Sequence, residues 1–203
     1  MDIDVFNLLI AGVGGQGVLT LSDLVVRAAV RSGYDVKQSE IHGMAQRGGT
    51  VSSHVRFGRK ILSPVIDEGT AHLLVALEKL EALRYLHFLS PGGALIVHDL
   101  EIPPLPVSSG AVPYPTDVLD RCRAAAAHVE VFAHDDLVQA LESPRMINTC
   151  FAGILSRRLP FELTAWREAI AERFAARSPD ANLRAFDIGC TLRPACDDVI
   201  RAS

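Results

Sequence analysis

The sequence predicts an α/β fold of the Rossmann-like type, in which an open, mostly parallel sheet carries helices on both faces. The first observation is a mostly apolar run from Val5 to Ala11, which is typical of a strand buried on both faces and leads into a glycine-rich turn and an amphipathic segment. The second is that apolar runs and helical patterns continue to alternate along the chain. The third is the length of 203 residues, which suits one domain.

The turn after the first strand has the spacing of a phosphate-binding motif. Gly12, Gly14 and Gly17 fit the pattern G-x-G-x-x-G, with Gly15 and Gln16 between them. Such glycines allow a tight turn, a close approach of backbone to phosphate, and close packing of helix on strand. Backbone N–H groups at the helix start would then face an anion. The same spacing also suits a tight strand–helix turn whose glycines serve packing alone.

The following elements complete the predicted α/β alternation. Apolar residues at helical spacing predict a first helix from Val18 that ends near Ser32 and Gly33. The predicted strands after it are Tyr34–Gln38, Thr50–Phe57, Ala71–Leu77, Ala94–His98 and Val129–Phe132. The predicted helices are Glu78–Leu89, Thr116–Ala127 with Thr116 as N-cap, Asp135–Leu141, Arg145–Arg158 and Phe161–Ala176.

The predicted connections and domain organisation follow from glycine and proline. Residues 90–93, Ser-Pro-Gly-Gly, are expected to break the chain between a helix and a strand, and the proline-rich residues 102–115 are expected to form an extended connection. We find no repeat or linker. Residues 1–203 are therefore predicted to be a single domain, with a C-terminal helical part, about 144–203, packed on it.

A second glycine-rich segment runs from Ser39 to Thr50, between two predicted strands. Ordered loops of this size are often functional. In an open α/β sheet the carboxyl end of the second strand lies at the same edge as the first glycine turn, so we expect both segments to border one crevice. Arg47 suits bidentate binding of phosphate or carboxylate, and Gly48 and Gly49 permit close backbone approach. A surface loop with an exposed arginine is the alternative.

The two segments together supply the candidate binding residues. Those of the first segment are Gly12, Gly14, Gly15, Gln16 and Gly17, and those of the second are Glu40, His42, Gly43, Met44, Gln46, Arg47, Gly48 and Gly49.

Catalytic groups are not evident in the sequence. Glu40 lies near the place of a ribose-binding carboxylate, but inside a polar segment rather than at a strand end. Glu40 and His42 do not make a metal site by themselves, and His54 would have to join them from a neighbouring strand. There is no nucleophile elbow, Walker lysine motif or pair of catalytic carboxylates. We therefore assign no catalytic residue and no metal site to this chain.

Composition narrows the function class further. The formal charge of −4 suggests neither nucleic acid nor an anionic membrane as partner. No basic and apolar leader precedes the first strand and no apolar run reaches the ~20 residues of a membrane span, so a cytoplasmic protein is expected. Four scattered cysteines form no C-x-x-C pair, which disfavours an iron–sulfur or zinc site in this chain and favours buried thiols.

Both glycine-rich segments resemble those of the gamma domain of 2-oxoacid:ferredoxin oxidoreductases, and the likeness is greatest to the small subunits of the indolepyruvate-type members. The resemblance rests on Gly12–Val18 and on Ser39–Gly49, and a tail from Asn182 to Gly189 is also similar. It spans nearly the whole chain, and the two segments together are far more specific than the first alone.

The resemblance implies oxidative decarboxylation of an aryl-pyruvate to an aryl-acetyl-CoA, with electrons passed to ferredoxin. It implies that thiamine diphosphate and [4Fe-4S] clusters belong to a large alpha subunit, that coenzyme A is a co-substrate, and that the isolated small subunit is inactive. Two other hypotheses stay open: a self-sufficient nicotinamide or flavin oxidoreductase, and a non-catalytic nucleotide-binding module that forms a homodimer.

Overall fold

The computed structural model describes residues 3–43 and 49–195, and six strands of this part form one sheet. The strands are β1 (Val5–Val13), β2 (Asp35–His42), β3 (Thr50–Gly58), β4 (Ala71–Ala76), β5 (Leu89–Asp99) and β6 (His128–Ala133). Their spatial order is β2-β3-β1-β4-β5-β6. β1, β4, β5 and β6 run parallel to one another, whereas β3 runs antiparallel to both of its neighbours. The predicted α/β fold with an open, mostly parallel sheet is confirmed.

β3 departs from the parallel strand–helix–strand arrangement that the sequence predicts. β3 lies between β2 and β1 and forms an antiparallel hairpin with β2. A parallel pairing would need a crossover of about a dozen residues or more, which the segment between His42 and Thr50 does not supply. Because β2 still points in the same direction as β1, its carboxyl end lies at the same edge of the sheet as the glycine turn.

Helices cover both faces of the sheet. The helices are α1 (Val18–Arg31), α2 (Lys79–Tyr85), α3 (Leu105–Ser108), α4 (Val118–Ala125), α5 (His134–Ala140), α6 (Ile147–Ser156), α7 (Leu163–Arg173) and α8 (Pro179–Thr191). One core cluster joins the sheet to α1, α6, α7 and α8, and a smaller cluster on the other face joins it to α2 and α4. No described helix has the length and apolar character needed to cross a bilayer.

Several element boundaries differ from the sequence prediction. β2 continues past Gln38 to His42, because its residues pair with β3 along their whole length. The leucine pattern predicted as one helix ends as a helix at Tyr85 and continues as a 3-10 turn, and Leu89 already belongs to β5. Residues 90–93, predicted to break the chain, form a bulge inside β5, where the register with β4 shifts.

Two further differences concern the region between β5 and β6. The connection 102–115, predicted to be extended, contains the single-turn helix α3. Thr116 is not the N-cap of α4, because the helix begins at Val118 and Asp117 takes the N-cap position without a capping side-chain bond.

Two glycines allow α6 and α8 to pack closely. A Cβ atom at Gly189 would overlap the carbonyl oxygen of Cys150, and a Cβ at Gly153 would overlap the carbonyl oxygen of Phe186. Both obstacles are helix backbone, which cannot move away as a flexible side chain can. The contact brings the last helix of the described chain onto the helix that adjoins the glycine turn.

We expect Gly189→Ala to destabilise the fold, because the added methyl group separates α6 from α8. Overpacking of this kind costs about 1–3 kcal/mol of unfolding free energy. Urea unfolding followed by circular dichroism measures the effect. Thr191→Ala, at an exposed position of the same helix, is the control and is expected to change stability by less than about 0.5 kcal/mol. Equal midpoints for both variants would show that the two helices can separate at no cost.

Candidate functional site

The glycine turn, Gly12–Gly17, links the carboxyl end of β1 to the start of α1. At Gly12 a Cβ atom would meet Val18 Cγ2 at 2.9 Å and Leu77 Cβ at 3.3 Å, so a side chain there would push α1 away from the strands. Gly15 and Gly17 have φ angles of 98° and 80°, in the left-handed region that favours glycine. Gly17 is also the N-cap residue of α1. The turn therefore needs glycine for close packing and for backbone conformation at once.

The Gln16 side chain closes the turn from inside. Its Oε1 accepts a hydrogen bond from the Val13 N–H at 2.6 Å, and its Nε2 donates to the Leu77 carbonyl oxygen at 2.6 Å. The amide thus bridges the carboxyl ends of β1 and β4. Gln16 was predicted as a binding residue, and the structure engages the donor and the acceptor of its side chain with the protein backbone.

Backbone amides at the start of α1 are available to an anion. The Gly14 amide donates to the Gly49 carbonyl at 2.8 Å, and the Gln16 amide donates to the Val13 carbonyl at 3.0 Å. No backbone acceptor is found, within the described part of the chain, for the amides of Gly15, Gly17, Val18 and Leu19. Unpartnered amides at a helix N-terminus, where the helix dipole is positive, suit a phosphate or carboxylate group.

The second glycine-rich segment meets this turn, as the sequence predicted. Besides the Gly14–Gly49 bond, the Gly43 amide donates to the Thr50 carbonyl at 2.8 Å, so both ends of the segment lie at the carboxyl edge of the sheet. The predicted binding residues Met44, Gln46, Arg47 and Gly48 lie outside the described residues.

Two cavities flank the glycine turn and share Gly15 and Gly17. The first, of about 390 Å³, lies between the turn and the second segment, and His42, Val51 and Leu19 are among its lining residues. The second, of about 370 Å³, lies on the other side of the turn and is lined in part by His98, Arg145 and Asn148. An elongated ligand that crosses the turn would occupy both cavities and bring its middle onto the free amides of α1.

Asn148, in the first turn of α6, holds the glycine turn from the C-terminal half of the chain. Its Nδ2 donates to the Gln16 carbonyl oxygen at 2.8 Å, and a Cβ at Gly17 would overlap this same nitrogen. Its Oδ1 is buried without a hydrogen-bond partner in the described structure. Sequence reasoning missed this residue, since nothing local marks an asparagine 132 positions away as a neighbour of Gln16.

His98, which lines the second cavity, pairs with His134, and sequence reasoning missed this pair because the two residues are distant in sequence. His98, 2% exposed at the end of β5, has its Nε2 3.0 Å from Nδ1 of His134 at the start of α5. Burial, and secondarily the proximity of His134, lowers the pKa of His98 from 6.5 to about 4. His98 is therefore neutral at physiological pH, and the pair is one hydrogen-bonded unit rather than two cations.

Glu40 and His42, which do not make a metal site by themselves, are not joined by His54. His42 Nε2 lies 3.6 Å from Glu40 Oε2 at the surface of β2, but His54 is 1% exposed and lies on the opposite face of the sheet. His54 Nδ1 accepts from the Ile66 N–H at 3.0 Å there. Within residues 3–43 and 49–195, no three His, Cys, Asp or Glu side chains are placed to hold a metal ion.

Two buried carboxylates, Glu78 and Glu81, lie behind the second glycine-rich segment. Both accept hydrogen bonds from neighbouring parts of the protein. Glu78 accepts from the Glu81 amide at 2.9 Å, from the Ile102 amide at 3.1 Å and from the Tyr114 hydroxyl at 2.7 Å. Burial, reinforced by Glu78, raises the pKa of Tyr114 above its ordinary value. Glu81 in turn accepts from the Thr50 hydroxyl at 2.5 Å. The two carboxylates therefore fix α2, the connection after β5 and the start of β3.

The cysteines that the structure describes are free thiols. Cys122 and Cys150 are buried, and Cys190 is half-buried. Burial raises the pKa of Cys122 to about 11 and that of Cys150 to about 12, so neither is a thiolate nucleophile at neutral pH.

Comparison with known proteins gives one consistent assignment. The family model described as pyruvate ferredoxin/flavodoxin oxidoreductase matches residues 7–192. Indolepyruvate oxidoreductase subunit IorB from Thermococcus kodakarensis is 36% identical over 189 residues, which cover 91% of this chain and 94% of that protein.

Solved structures of similar fold are also known. Pyruvate oxidoreductase subunit PORC from Thermotoga maritima superposes with a TM-score of 0.68 at 21% identity, over 92% of this chain and 96% of that chain. The 2-oxoglutarate:ferredoxin oxidoreductase from Magnetococcus marinus, solved with 2-oxoglutarate, coenzyme A and succinyl-CoA bound, has a TM-score of 0.68 at 20% identity. The match covers 93% of this chain but 31% of that one.

We expect Gly17→Ala to destabilise the protein through two effects that can be separated. A left-handed alanine costs about 1–2 kcal/mol, and the new methyl group also overlaps Asn148 Nδ2. In the double variant Gly17→Ala/Asn148→Ala only the strain persists. Denaturant unfolding of the two single variants and the double variant should therefore show a double variant less destabilised than the sum. If the loss of unfolding free energy in the double variant equals the sum of the losses in the single variants, Asn148 does not clash with the new methyl group at position 17.

We expect the stability of the protein to decrease as the pH falls from about 6.5 to about 4, in part through His98. The unfolded chain binds a proton on this imidazole in that range, whereas the folded chain does not. The full contribution, for a shift of this size, is about 3 kcal/mol. His98→Gln removes the titration and should flatten the plot of unfolding free energy against pH, whereas His87→Gln, at a half-exposed histidine, should not. Parallel plots for wild type and His98→Gln would contradict the assignment.

Proposed function

This chain belongs to the pyruvate ferredoxin/flavodoxin oxidoreductase family, and we propose that it is the small subunit of an indolepyruvate-type 2-oxoacid:ferredoxin oxidoreductase. Membership confirms the resemblance that the two glycine-rich segments carry. The indolepyruvate assignment is supported by a relative of that name that matches over nearly the full length of both chains. The proposed reaction is oxidative decarboxylation of an aryl-pyruvate to an aryl-acetyl-CoA, with ferredoxin as electron acceptor.

The observation that carries the proposal is the junction of the two glycine-rich segments. The bond from the Gly14 amide to the Gly49 carbonyl, at 2.8 Å, joins the parts of the sequence that define the resemblance into one crevice. The side chains around the crevice hold its shape. Gln16 bridges two strands, and Glu78 and Glu81 fix α2, the connection after β5 and the start of β3. The described residues thus shape a binding surface, which is the role expected of a subunit whose partner carries the chemistry.

Coenzyme A is the ligand that this crevice suits best. It is an elongated molecule with a diphosphate between its adenosine and pantetheine parts, and it would lie across the turn in the two cavities that share Gly15 and Gly17. The diphosphate would face the free amides of Gly15, Gly17, Val18 and Leu19. The other candidate residues of the second segment, His42 and Arg47 among them, would complete the site from the opposite side. The coenzyme A bound in the Magnetococcus enzyme supports this choice of ligand.

The large subunit is proposed to carry thiamine diphosphate, which supplies the decarboxylation chemistry, and the [4Fe-4S] clusters that conduct electrons to ferredoxin. This chain binds and orients coenzyme A beside that centre and excludes water from it. We expect it to have no activity on its own.

The test is co-expression of the tagged chain with the thiamine-type large subunit of the same organism. Indolepyruvate-dependent reduction of viologen or ferredoxin, in the presence of coenzyme A, should require both chains. A purified single chain that carries nicotinamide or flavin would replace the proposal with a self-sufficient oxidoreductase. A complex that binds coenzyme A but turns over no 2-oxoacid would replace it with a nucleotide-binding assembly module.

We expect Arg47→Ala in the assembled complex to weaken the use of coenzyme A or oxoacid by several-fold to about a hundredfold, because one charged hydrogen bond to an anion contributes about 1–3 kcal/mol. Initial rates at varied coenzyme A and varied oxoacid locate the effect. Arg177→Ala, at an exposed arginine after α7, is the matched control and should leave the KM for coenzyme A and the KM for the oxoacid unchanged. Wild-type kinetics for Arg47→Ala would remove this residue from the site.

A further inference from the structure

Thr50, the last residue of the second glycine-rich segment and the first of β3, lies where the two parts of the crevice meet. Its carbonyl oxygen accepts from the Gly43 amide at 2.8 Å, which closes the segment at its base. In the sheet it lies opposite Val13, the last residue of β1. The preceding residue, Gly49, accepts from the Gly14 amide at 2.8 Å. A shift of Thr50 would therefore move the segment relative to the glycine turn.

The side chain of Thr50 contacts α2. Its hydroxyl donates to Glu81 Oε2 at 2.5 Å and lies 3.1 Å from the hydroxyl of Tyr85. Because the Thr50 hydroxyl has one proton and gives it to the carboxylate, it accepts from Tyr85. Glu81 Oε1 accepts in turn from Arg84 Nε at 3.1 Å. We call these four residues, Thr50, Glu81, Arg84 and Tyr85, the clasp.

The bond between Thr50 and Glu81 is a charge-assisted hydrogen bond in a buried place. Its acceptor is a carboxylate, and Glu81 is 4% exposed, so water competes little for the oxygen that accepts. The three clasp residues of α2 occupy positions i, i+3 and i+4, which lie on one side of a helix. α2 therefore carries all three on the side that faces the start of β3.

Side chains do not fill the space between the segment and α2. A cavity of about 220 Å³ lies there, and its lining includes Gly43, Gly49, Thr50 and Glu81. Among residues 3–43 and 49–195, the hydrogen bonds from the segment to α2 are those of the Thr50 hydroxyl. The position of the segment relative to α2 therefore depends on the clasp more than on packing.

We propose that Glu81 is a positioning residue for the ligand of the crevice: by holding the Thr50 hydroxyl, it sets the second segment at the distance from the glycine turn at which coenzyme A binds. The inference rests on the proposed function, which supplies the ligand. Glu81 lines neither of the two cavities that flank the turn, so it acts through Thr50 and Gly49 rather than by contact.

The wall of the first cavity shows how the clasp reaches the ligand. His42 and Val51 line this cavity, and they directly adjoin Gly43 and Thr50, the two residues that close the segment. A segment released from α2 would change the distance between this wall and the amides at the start of α1. The cost would fall on the binding of coenzyme A and would leave the chemical step on the large subunit intact.

The first test is kinetic and uses the complex with the large subunit. Glu81→Gln removes the charge of the acceptor, Thr50→Val removes the donor, and Thr50→Ser retains the hydroxyl. We expect the first two to raise the KM for coenzyme A at least fivefold, with kcat and the KM for the oxoacid within twofold of wild type. Thr50→Ser should stay within twofold in all three constants. Glu68→Gln, at an exposed glutamate with the same loss of charge, is the control and should change none of them.

A general loss of structure would give a different pattern. It would lower the amount of active complex, and hence the apparent kcat, without a selective rise in the KM for coenzyme A. The double variant Glu81→Gln/Thr50→Val should be no worse than the poorer single variant, because both substitutions remove the same bond. Additive effects, or an unchanged KM for coenzyme A in both single variants, would overturn the proposal.

The second test follows the segment itself and needs neither ligand nor partner. In the isolated full-length chain, hydrogen exchange measured by NMR reports on the Gly14 and Gly43 amides, whose acceptors lie at the end of the segment. Both should exchange at least tenfold faster in Thr50→Val, whereas the Gln16 amide, which is bonded within the turn, should keep its rate. Wild-type rates at Gly14 and Gly43 in this variant would show that the clasp does not hold the segment.

Tyr85→Phe covers the case in which the other variants do not fold. It removes one hydroxyl of the clasp and keeps the ring, which stacks on Phe88. We expect exchange at Gly14 and Gly43 to become at least twofold faster, and an unchanged rate at both amides would contradict the proposal.

Failure of the proposed function gives a separate result. In that case the wild-type complex shows no turnover that depends on coenzyme A, and the claim about coenzyme A affinity is overturned with it. Exchange at Gly14 and Gly43 still decides whether Glu81 positions the segment through Thr50. A selective rise in the KM for coenzyme A together with faster exchange at these amides supports both ideas.

Discussion

The rest of this site depends on the two hydrogen bonds that the side-chain amide of Gln16 makes to the backbone. One side chain satisfies the Val13 amide and the Leu77 carbonyl, at the carboxyl ends of two parallel strands. Such groups at strand ends have no partner in the sheet, and burying them unpaired would cost free energy. The Gln16 side chain supplies both missing partners, and Gly12 leaves the space that this side chain needs. The Gln16 side chain therefore sets the shape of the turn from its inner side.

The C-terminal helices hold the same turn from the side. Asn148 donates to the Gln16 carbonyl and packs against Gly17, and α6, which carries it, is fastened to α8 through the paired glycines. The core on this face includes residues of β1, α1, α6 and α8 in one continuous cluster. A change at the α6–α8 contact can therefore reach the start of α1 through rigid, close-packed backbone. This arrangement explains how the C-terminal part of the chain supports a glycine turn whose own residues are N-terminal.

The sequence predicted the local elements of the fold well and the contacts between distant elements poorly. The strand–glycine–helix unit from Val5 to Arg31 follows from residue pattern and turn chemistry, which act over a few residues. The meeting of both glycine-rich segments was predicted, because direction along a sheet decides which loops share an edge. The insertion of β3 between β2 and β1 was not, since pairing order depends on which strands find each other after the loops close. Asn148 and the His98–His134 pair were missed for the same reason, as each contact joins residues far apart in the chain.

At the carboxyl edge of the sheet, some polar groups are hydrogen-bonded within the protein and others have no partner among the described residues. Gln16, Glu78, Glu81 and Thr50 are held by backbone or by each other, and His98 is kept neutral by burial beside His134. Each of them therefore contributes to the shape of the edge through a hydrogen bond within the protein. Among the described residues, the amides of Gly15, Gly17, Val18 and Leu19 have no backbone acceptor, and such amides at a helix N-terminus can bind an anion. Under the proposed function, this edge would hold the anionic part of coenzyme A, and the large subunit would supply the bond-making chemistry.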